Sequence, residues 1–239
     1  MNGAEKNAIV TGVSSGIGNH LVKFLLQQGW SVSGLSRRPT DISDPRFAWY
    51  QCDLSDAQAV ARVAQQLGKP IDVVVHNAAV SGGVGAALDL EVTAWRAAFE
   101  VNFFAPLSLT KHLVARCSPN ACVVVVSGGG AVTPRPLVGP YAISKLALVK
   151  LAEQLALDHP RLRFYALAPG VHLTKLFEEQ RQPGSTPAFA DLSDVERLLQ
   201  TLIADTDGRL NGKLVHIRDD IEKLLSVPEG GLVRRVERR

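Results

Sequence analysis

The alternation of two kinds of segment along the 239-residue chain constrains its fold most strongly. Seven short runs rich in β-branched and apolar residues alternate with longer segments whose apolar residues recur at helical spacing. A repeated strand–helix order predicts parallel strands joined by right-handed crossovers. The sequence therefore predicts an α/β protein with a doubly wound, seven-stranded parallel sheet and helices on both faces. Its ligands are expected outside the carboxyl ends of the strands.

The segments have the following predicted bounds. The strands are 7–11, 31–35, 47–51, 71–77, 121–127, 162–168 and 212–217. The helices are 17–28, 56–67, 91–116, 141–158 and 191–204. Either Ser193 or Asp191 is expected to cap the last helix, and the preceding segment 181–193 is expected to be a mobile loop that could act as a lid. Because α/β folds of this length commonly form one unit, residues 1–239 are expected to be a single domain.

Composition and charge exclude several classes of protein. The content of 46% hydrophobic and 21% charged residues is typical of a globular protein. The formal net charge of +3 equals the charge of the last seven residues, "VRRVERR", so the rest of the chain is neutral and nucleic acid is not an expected partner. No signal peptide and no apolar run of ~20 residues is present, which predicts a cytoplasmic protein without a membrane partner. The spacing of the cysteines and histidines predicts no disulfide framework and no metal site.

A glycine-rich turn follows the first predicted strand. The stretch "TGVSSGIG" places Gly12, Gly16 and Gly18 directly before a helix. Glycines let the backbone approach a pyrophosphate closely, and the helix N-terminus then faces the negative charge. The spacing differs from G-x-G-x-x-G, and no G-K-[ST] follows as it would in a Walker loop. The turn therefore indicates a dinucleotide site of another pattern, or a tight connection alone.

The end of the second predicted strand indicates which dinucleotide would bind. Many dinucleotide sites place an acid there to bind the ribose 2′-hydroxyl, whereas a nearby arginine accepts a 2′-phosphate. In "GLSRRP", Ser36 stands at the position of the acid, and Arg37 and Arg38 follow it. This pattern favours NADP(H) over NAD(H). The alternative is that both arginines are exposed loop residues without a ligand.

A tyrosine and a lysine stand four residues apart in "YAISK". At the start of a helix, Tyr141 and Lys145 would lie on one face and be neighbours in space. An ammonium near a phenol favours the phenolate, which suits acid–base chemistry. The same spacing also occurs by chance on helix surfaces, so its significance depends on the glycine turn.

In chain order, "TGVSSGIG", "HNAA", "VN", "YAISK" and "PGVHLT" resemble the motifs of the short-chain dehydrogenase/reductase family over residues 7–217. The resemblance implies a Rossmann-type fold and hydride transfer between NADP(H) and a small ketone or alcohol. It also implies a homodimer or homotetramer paired through helices 91–116 and 141–158. A rival reading is a catalytically weak NADP(H)-binding protein that acts as a sensor or through a partner.

The resemblance implies roles for individual residues. Tyr141 would be the acid–base residue, Lys145 would lower its pKa and bind ribose, Asn102 would support a proton relay, and Ser127 would orient the substrate. The phosphates and ribose of the cofactor would contact the glycine turn, at Gly12, Ser14, Ser15, Gly16, Ile17 and Gly18. On the adenosine side, Arg37 would bind the 2′-phosphate, Asp53 and Leu54 would contact adenine, and Asn77 and Ala78 would lie along the ribose. At the reacting end, the carboxamide would contact Pro169, Gly170, Val171 and Thr174, and the cofactor would also contact Tyr141 and Lys145.

The sequence departs from the family pattern at two places. "HNAA" replaces "NNAG", and we expect His76 to be structural. The orienting serine of the family stands one residue closer to the tyrosine than Ser127, at the position of Gly128. We expect a one-residue bulge in "GGGAVTPRP" to restore Ser127 to that place. Otherwise Gly128 faces the substrate, and Gly128→Ser could supply the missing hydroxyl. His172 could contact the substrate or be an exposed loop histidine.

Overall fold

The computed structural model describes residues 5–226 except Lys69, Gly129, Pro183 and Ser185, so the basic C-terminal segment lies outside the described residues. The strands are β1 (Asn7–Thr11), β2 (Ser31–Ser36), β3 (Phe47–Gln51), β4 (Ile71–His76), β5 (Cys117–Val126), β6 (Arg163–Ala168) and β7 (Leu214–His216). They form one parallel sheet in the order β3-β2-β1-β4-β5-β6-β7. The predicted parallel α/β sheet of seven strands is therefore confirmed.

Helices lie in the connections between consecutive strands, except between β2 and β3, and a last helix follows β7. They are α1 (Gly16–Gln27), α2 (Ala57–Gln66), α3 (Val92–Phe99), α4 (Ala105–Leu113), α5 (Gly139–Asp158), α6 (Lys175–Gln180), α7 (Leu192–Ala204) and α8 (Ile221–Ser226). A π-helical turn, Glu100–Phe104, joins α3 to α4, and a 3₁₀ turn, Val114–Arg116, follows α4. In the part of the chain that the structure describes, no helix has the length and apolarity needed to cross a membrane.

Both faces of the sheet are buried. Successive side chains of a strand point to opposite faces, so alternate residues enter two different cores. Val10, Val75 and Val124 pack on the face that α1 and α7 cover. The neighbouring residues Ile9 and Val74 pack on the other face, with α2, α4 and α5. Burial on both faces explains why the strands are nearly continuous apolar runs in the sequence.

Several elements differ from the predicted ones. The predicted helix 91–116 is divided into α3, the π-helical turn, α4 and the 3₁₀ turn, and α6 and α8 were not predicted. β5 begins at Cys117, four residues before the predicted start, because a register shift opposite Ile71 and Val73 takes up the polar stretch that contains Pro119. Asn120 in this stretch has a φ of 60°. In the segment 181–193, hydrogen bonds hold several of the described residues: Gln182 donates to the carbonyl of Pro136, the Ala190 amide donates to the carbonyl of Val171, and Asp191 accepts from the Ser193 amide. Asp191 is thus the cap of α7.

The strand order reverses between β1 and β4. β1 pairs with β2 on one side and with β4 on the other, so the chain leaves these two strands in opposite directions. In such sheets the diverging connections leave a crevice at the carboxyl ends of the two central strands. The cleft described below lies at this crevice.

Candidate active site

A cleft of about 330 Å³ opens at the carboxyl ends of the strands. Its volume is within the range of small-molecule sites. Most of the residues predicted for the site line it: Gly12, Ser14, Ser15, Gly16, Ile17, Arg37, Asp53, Leu54, Asn77, Ala78, Ser127, Tyr141, Lys145, Pro169, Gly170, Val171 and Thr174. Gly18 and Asn102 are buried and are not among the lining residues. The structure thus brings together residues from loops that are far apart in the sequence.

The glycine turn has the backbone geometry that the sequence predicts. Gly12 and Gly16 adopt φ angles of 74° and 59°, which residues with side chains rarely adopt. A Cβ added to Gly18 would lie 2.3 Å from the Gly12 carbonyl oxygen, so Gly18 allows α1 to pack against the turn. Ser15 precedes α1 without a side-chain capping bond. The first amides of α1 therefore remain able to bind an anion.

Thr11, which the sequence analysis did not single out, fixes the ends of β1 and β4. Its hydroxyl accepts hydrogen bonds from the backbone amides of Asn77 and Ala78 at 3.0 and 3.1 Å. The Asn77 side chain in turn donates to the Thr11 and Gly12 carbonyls at 3.0 and 3.3 Å. The position of Thr11 at the last residue of a strand, directly before the glycine turn, was the available signal. These bonds hold the floor of the cleft.

Two arginines stand at the other end of the cleft. Arg37 and Arg38 are exposed, and neither lies within ion-pair distance of a carboxylate of the described residues. Ser36 is buried, donates to the Arg38 carbonyl at 2.6 Å and accepts from Trp49 Nε1 at 2.9 Å. The position that carries an acid in many dinucleotide sites is therefore occupied by a short buried side chain, and the two cations beside it remain available.

Asp53 and Leu54 follow β3 on the same side of the cleft. The carboxylate of Asp53 accepts hydrogen bonds from the backbone amide and the hydroxyl of Ser55, at 3.0 and 2.7 Å. These bonds lower the pKa of Asp53. Asp53 is therefore ionised at neutral pH, and its side chain is oriented by Ser55.

Asn102 lies in the π-helical turn and is completely buried. Its side chain accepts from the Val80 amide at 2.8 Å and donates to the Val80 carbonyl at 2.9 Å and the Ser144 hydroxyl at 3.0 Å. The Ser144 hydroxyl donates to the carbonyl of Tyr141 at 2.8 Å. π-helical turns interrupt the regular hydrogen bonding of an α-helix and are frequent at functional sites. Asn102 thus connects the loop after β4 to the start of α5.

We expect Asn102→Ala to destabilise the fold by about 2 to 4 kcal/mol, because both polar groups of Val80 would lose their buried partner. Urea unfolding measures this change. Gln154→Ala, an exposed substitution on α5, is the control and should change the free energy of unfolding by less than about 0.5 kcal/mol. Equal effects of the two substitutions would contradict the connecting role of Asn102.

Tyr141 and Lys145 are buried in the first turns of α5. Lys145 Nζ donates to the Val126 carbonyl at 2.7 Å and lies 5.9 Å from the centre of the Tyr141 ring. Burial lowers the pKa of Lys145 to about 7. Burial also raises the pKa of Tyr141 to about 12, although the charge of Arg135 acts to lower it. Burial thus outweighs the effect that the sequence predicts for an adjacent ammonium.

Ser127 and Gly128 follow β5 and both line the cleft. The Ser127 hydroxyl is buried and has no hydrogen-bond partner among the described residues. A Cβ added to Gly128 would lie 2.1 Å from the Tyr141 hydroxyl oxygen. Gly128 therefore leaves no space for a serine side chain. The bulge expected in the glycine run involves Gly129, which lies outside the described residues.

The two histidines of interest have different surroundings. His76 is buried, shares a 2.9 Å hydrogen bond with the Thr110 hydroxyl, and has a pKa lowered to about 3, mainly by burial. It is therefore a neutral core residue. His172 is only 7% exposed, lines the cleft, and donates from Nε2 to the Pro169 carbonyl at 2.7 Å. The description of His172 as an exposed loop residue is thus excluded.

Arg135 and Gln180 also line the cleft, and the sequence analysis did not predict them. Arg135 belongs to the loop between the glycine run and Tyr141, and Gln180 ends α6. The presence of a charged residue so close to "YAISK" was a usable signal for Arg135. No comparable signal exists for Gln180, because α6 itself was not predicted.

A doubly wound sheet with a glycine turn at its central crevice defines a nucleotide-binding protein of the Rossmann type. The family model for short chain dehydrogenase matches residues 6–184. The chain belongs to the short-chain dehydrogenase/reductase family and is thus an oxidoreductase of that family.

Individual relatives agree with this assignment. The chain is 27% identical to the short chain dehydrogenase/reductase AacuD of Aspergillus aculeatus, over 99% of this chain and 86% of that protein. It is 32% identical to dehydrogenase/reductase SDR family member 4 of Homo sapiens, over 70% of this chain and 66% of that protein. A short chain dehydrogenase family protein from Francisella tularensis has the same fold, with a TM-score of 0.81, 23% identity, and coverage of 90% of this chain and 97% of that one.

Proposed function

We propose that the protein is an NADP(H)-dependent carbonyl reductase or alcohol dehydrogenase that acts on a small ketone or alcohol. The observation that carries the proposal is the position of the buried Tyr141–Lys145 pair in the same cleft as the glycine turn and Arg37. One cleft can therefore hold a dinucleotide along its length and present a proton donor at its far end.

The residues present fit a dinucleotide. A Cβ at Gly12 would lie 2.8 Å from the Ala78 Cα, so only a glycine lets the turn pack this closely against the loop after β4. The phosphates would be held by the turn from Gly12 to Gly16, the 2′-phosphate by Arg37, and the nicotinamide end by Pro169 to Thr174. The absence of an acid at Ser36 supports NADP(H), because a carboxylate would repel the 2′-phosphate.

The chemistry divides between the cofactor and the chain. When bound, the nicotinamide supplies or accepts a hydride. In the reductive direction Tyr141 donates its hydroxyl proton to the carbonyl oxygen, and in the oxidative direction it accepts the proton of the alcohol. Lys145 is held by the Val126 carbonyl and keeps further donors for the ribose. Asn102 holds the start of α5, and Ser127 would orient the substrate oxygen.

A second candidate is a catalytically weak NADP(H)-binding protein that acts as a sensor or through a partner. Gly128 favours it, because this residue stands at the position of the family's orienting serine and leaves no space for a serine side chain beside Tyr141. Incubation with NADPH and a panel of ketones and diketones separates the two functions. Oxidation of NADPH above the rate without protein supports the reductase, and its absence with every compound supports the sensor.

We also propose that the protein is a cytoplasmic homodimer or homotetramer. Apolar side chains remain exposed on the helices predicted to pair: Phe104 is 48% exposed, Ile143 48% and Leu157 73%. Burial of these side chains against a second copy would remove apolar surface from water.

NADPH is expected to bind at least about tenfold more tightly than NADH, a difference of about 1.4 kcal/mol. Arg37→Ala should remove most of this difference, because no carboxylate of the described residues lies within ion-pair distance of Arg37, so its guanidinium can bind the 2′-phosphate. Titration calorimetry with each cofactor measures the dissociation constants. Arg62→Ala, on the exposed side of α2, is the control. Equal affinity of the unmutated protein for both cofactors would refute the NADP(H) assignment.

A further inference from the structure

Arg135 and Gln180 form part of the cleft wall near Tyr141. Arg135 Nη1 donates to the Gln180 side-chain oxygen at 3.3 Å, and Nη2 donates to the Gln180 backbone carbonyl at 3.4 Å. Hydrogen bonds from a guanidinium to a carboxylate are typically about 2.7 to 2.9 Å long. The guanidinium is thus held by two distant, neutral acceptors, and a carboxylate would be a stronger partner than either.

The charge of Arg135 has no neutralising partner in the part of the chain that the structure describes. Among the described residues, no carboxylate lies within ion-pair distance of its guanidinium. Glu179 also lines the cleft, but its side chain is exposed and is 3.5 Å from the Ser81 hydroxyl. Because Arg135 acts to lower the pKa of Tyr141, its positive field reaches the hydroxyl at the reacting end. An anionic group on a substrate would meet this field.

Gln180 supplies a second donor. The residue is only 2% exposed. Arg135 has donors only, so it faces the amide oxygen and fixes the orientation of the amide. Gln180 Nε2 therefore points away from the guanidinium, and it has no hydrogen-bond partner among the described residues. Buried polar groups in native proteins nearly always have a partner, so this donor can bind an acceptor that the described residues do not provide.

We propose that Arg135 and Gln180 bind a carboxylate of the substrate, so that the protein acts on oxo acids or hydroxy acids. The planar guanidinium matches a carboxylate in two-point contact, and Gln180 Nε2 is a further donor to the anion. The two residues are binding residues that place the reacting carbonyl near Tyr141. This inference rests on the proposed reductase activity, which it narrows to anionic substrates.

The first test compares acids with neutral analogues. The compounds are 2-oxobutanoate, 4-oxopentanoate and 5-oxohexanoate, each with its methyl ester, reduced with NADPH by the unmutated protein. At one chain length or more, kcat/KM for the acid should exceed that for the ester at least about tenfold. Reduction of esters and acids with equal kcat/KM at every length would overturn the inference and leave the reductase function intact.

Variants then assign the preference to the two residues. Arg135→Gln removes the charge, and Gln180→Glu places a permanent carboxylate beside Arg135 that competes with the substrate. Each should lower the ratio of acid to ester kcat/KM at least about tenfold, mainly through KM for the acid. The ester is the internal reference. If a substitution changes the reactivity of Tyr141, it changes kcat/KM for the acid and for the ester alike, and their ratio stays the same. Arg181→Gln, an exposed arginine paired with Glu178, should leave the ratio unchanged. An unchanged ratio in Arg135→Gln would overturn the assignment.

Binding without turnover distinguishes failure of this inference from failure of the proposed function. Calorimetric titration measures the binding of the same acids and esters, with NADP⁺ and without it. Neither condition supplies a hydride, so the ketone is not reduced during the measurement. Tighter binding of an acid than of its ester, lost in Arg135→Gln, supports the carboxylate site even if no compound is reduced. Absence of acid binding, or equal binding of acids and esters, overturns the inference whether or not neutral ketones are reduced.

Discussion

Tyr141→Phe is expected to abolish turnover, lowering kcat by about 100- to 10,000-fold, while NADPH still binds. This range is the usual contribution of a positioned acid or base. Phenylalanine keeps the ring that packs in the cleft and removes only the hydroxyl that carries the proton. Steady-state kinetics on a substrate from the ketone panel measures the loss, and NADPH titration measures binding. Tyr50→Phe in β3 is the matched control and should leave both unchanged.

Lys145→Ala is expected to impair both turnover and NADPH binding, because its amine is proposed to serve the proton and the ribose. The contrast with Tyr141→Phe is the informative result. Near-normal turnover in Tyr141→Phe would show that another group carries the proton, and the proposed mechanism would then be wrong.

The pH dependence of the two directions of the reaction should differ. Burial raises the pKa of Tyr141 to about 12, so the hydroxyl is protonated throughout the neutral range and ready to act as an acid. Oxidation of an alcohol requires the phenolate. As long as the pH is below the pKa, the phenolate fraction rises about tenfold for each unit by which the pH increases. The oxidation rate should therefore increase between about pH 7 and 9, whereas the reduction rate should not.

The order of strands and helices could be predicted because strands that are buried on both faces are continuous apolar runs, which alternate with segments of helical spacing. Residues such as Ile9 and Val10 are both apolar because each faces a different core. The start of β5 is polar and is not an apolar run, since it pairs with β4 in an irregular register, so it could not be predicted. The π-helical turn was also invisible, because one shifted hydrogen bond leaves the spacing of apolar residues nearly unchanged.

The site could be predicted where its residues are close in sequence and less well where loops bring them together. The glycine turn and the Tyr141–Lys145 spacing depend on local backbone geometry, and the structure places both in the cleft. Arg135 and Gln180 are 45 residues apart, and only the packing of α6 against the loop before α5 joins them. The raised pKa of Tyr141 could not be predicted, because it is caused by burial, and the four-residue spacing of Tyr141 and Lys145 does not indicate how buried they are.

Ser127→Ala is expected to lower kcat by about 100-fold without loss of stability or cofactor affinity. Removing a donor that is aimed at a developing oxyanion has effects of this size. The Ser127 hydroxyl has no partner among the described residues, so its removal costs the fold no hydrogen bond seen in the structure. A serine with a purely structural role would give the opposite pattern, with reduced stability and normal kcat. Urea unfolding and steady-state kinetics on the same preparation distinguish the two patterns.

Gly128→Ser is the companion variant and should also reduce turnover, whereas it could raise activity if Gly128 faced the substrate in place of Ser127. Its Cβ would lie 2.1 Å from the Tyr141 hydroxyl oxygen and 2.8 Å from the ring carbon that bears it, so the tyrosine would have to move by more than an ångström. A displacement of about 1 Å of a reacting group can cost about 100-fold in rate. Gly128→Ala should be equally impaired, because the clash comes from the Cβ and not from the added hydroxyl. Higher activity in Gly128→Ser than in the unmutated protein would instead assign the substrate-orienting position to residue 128.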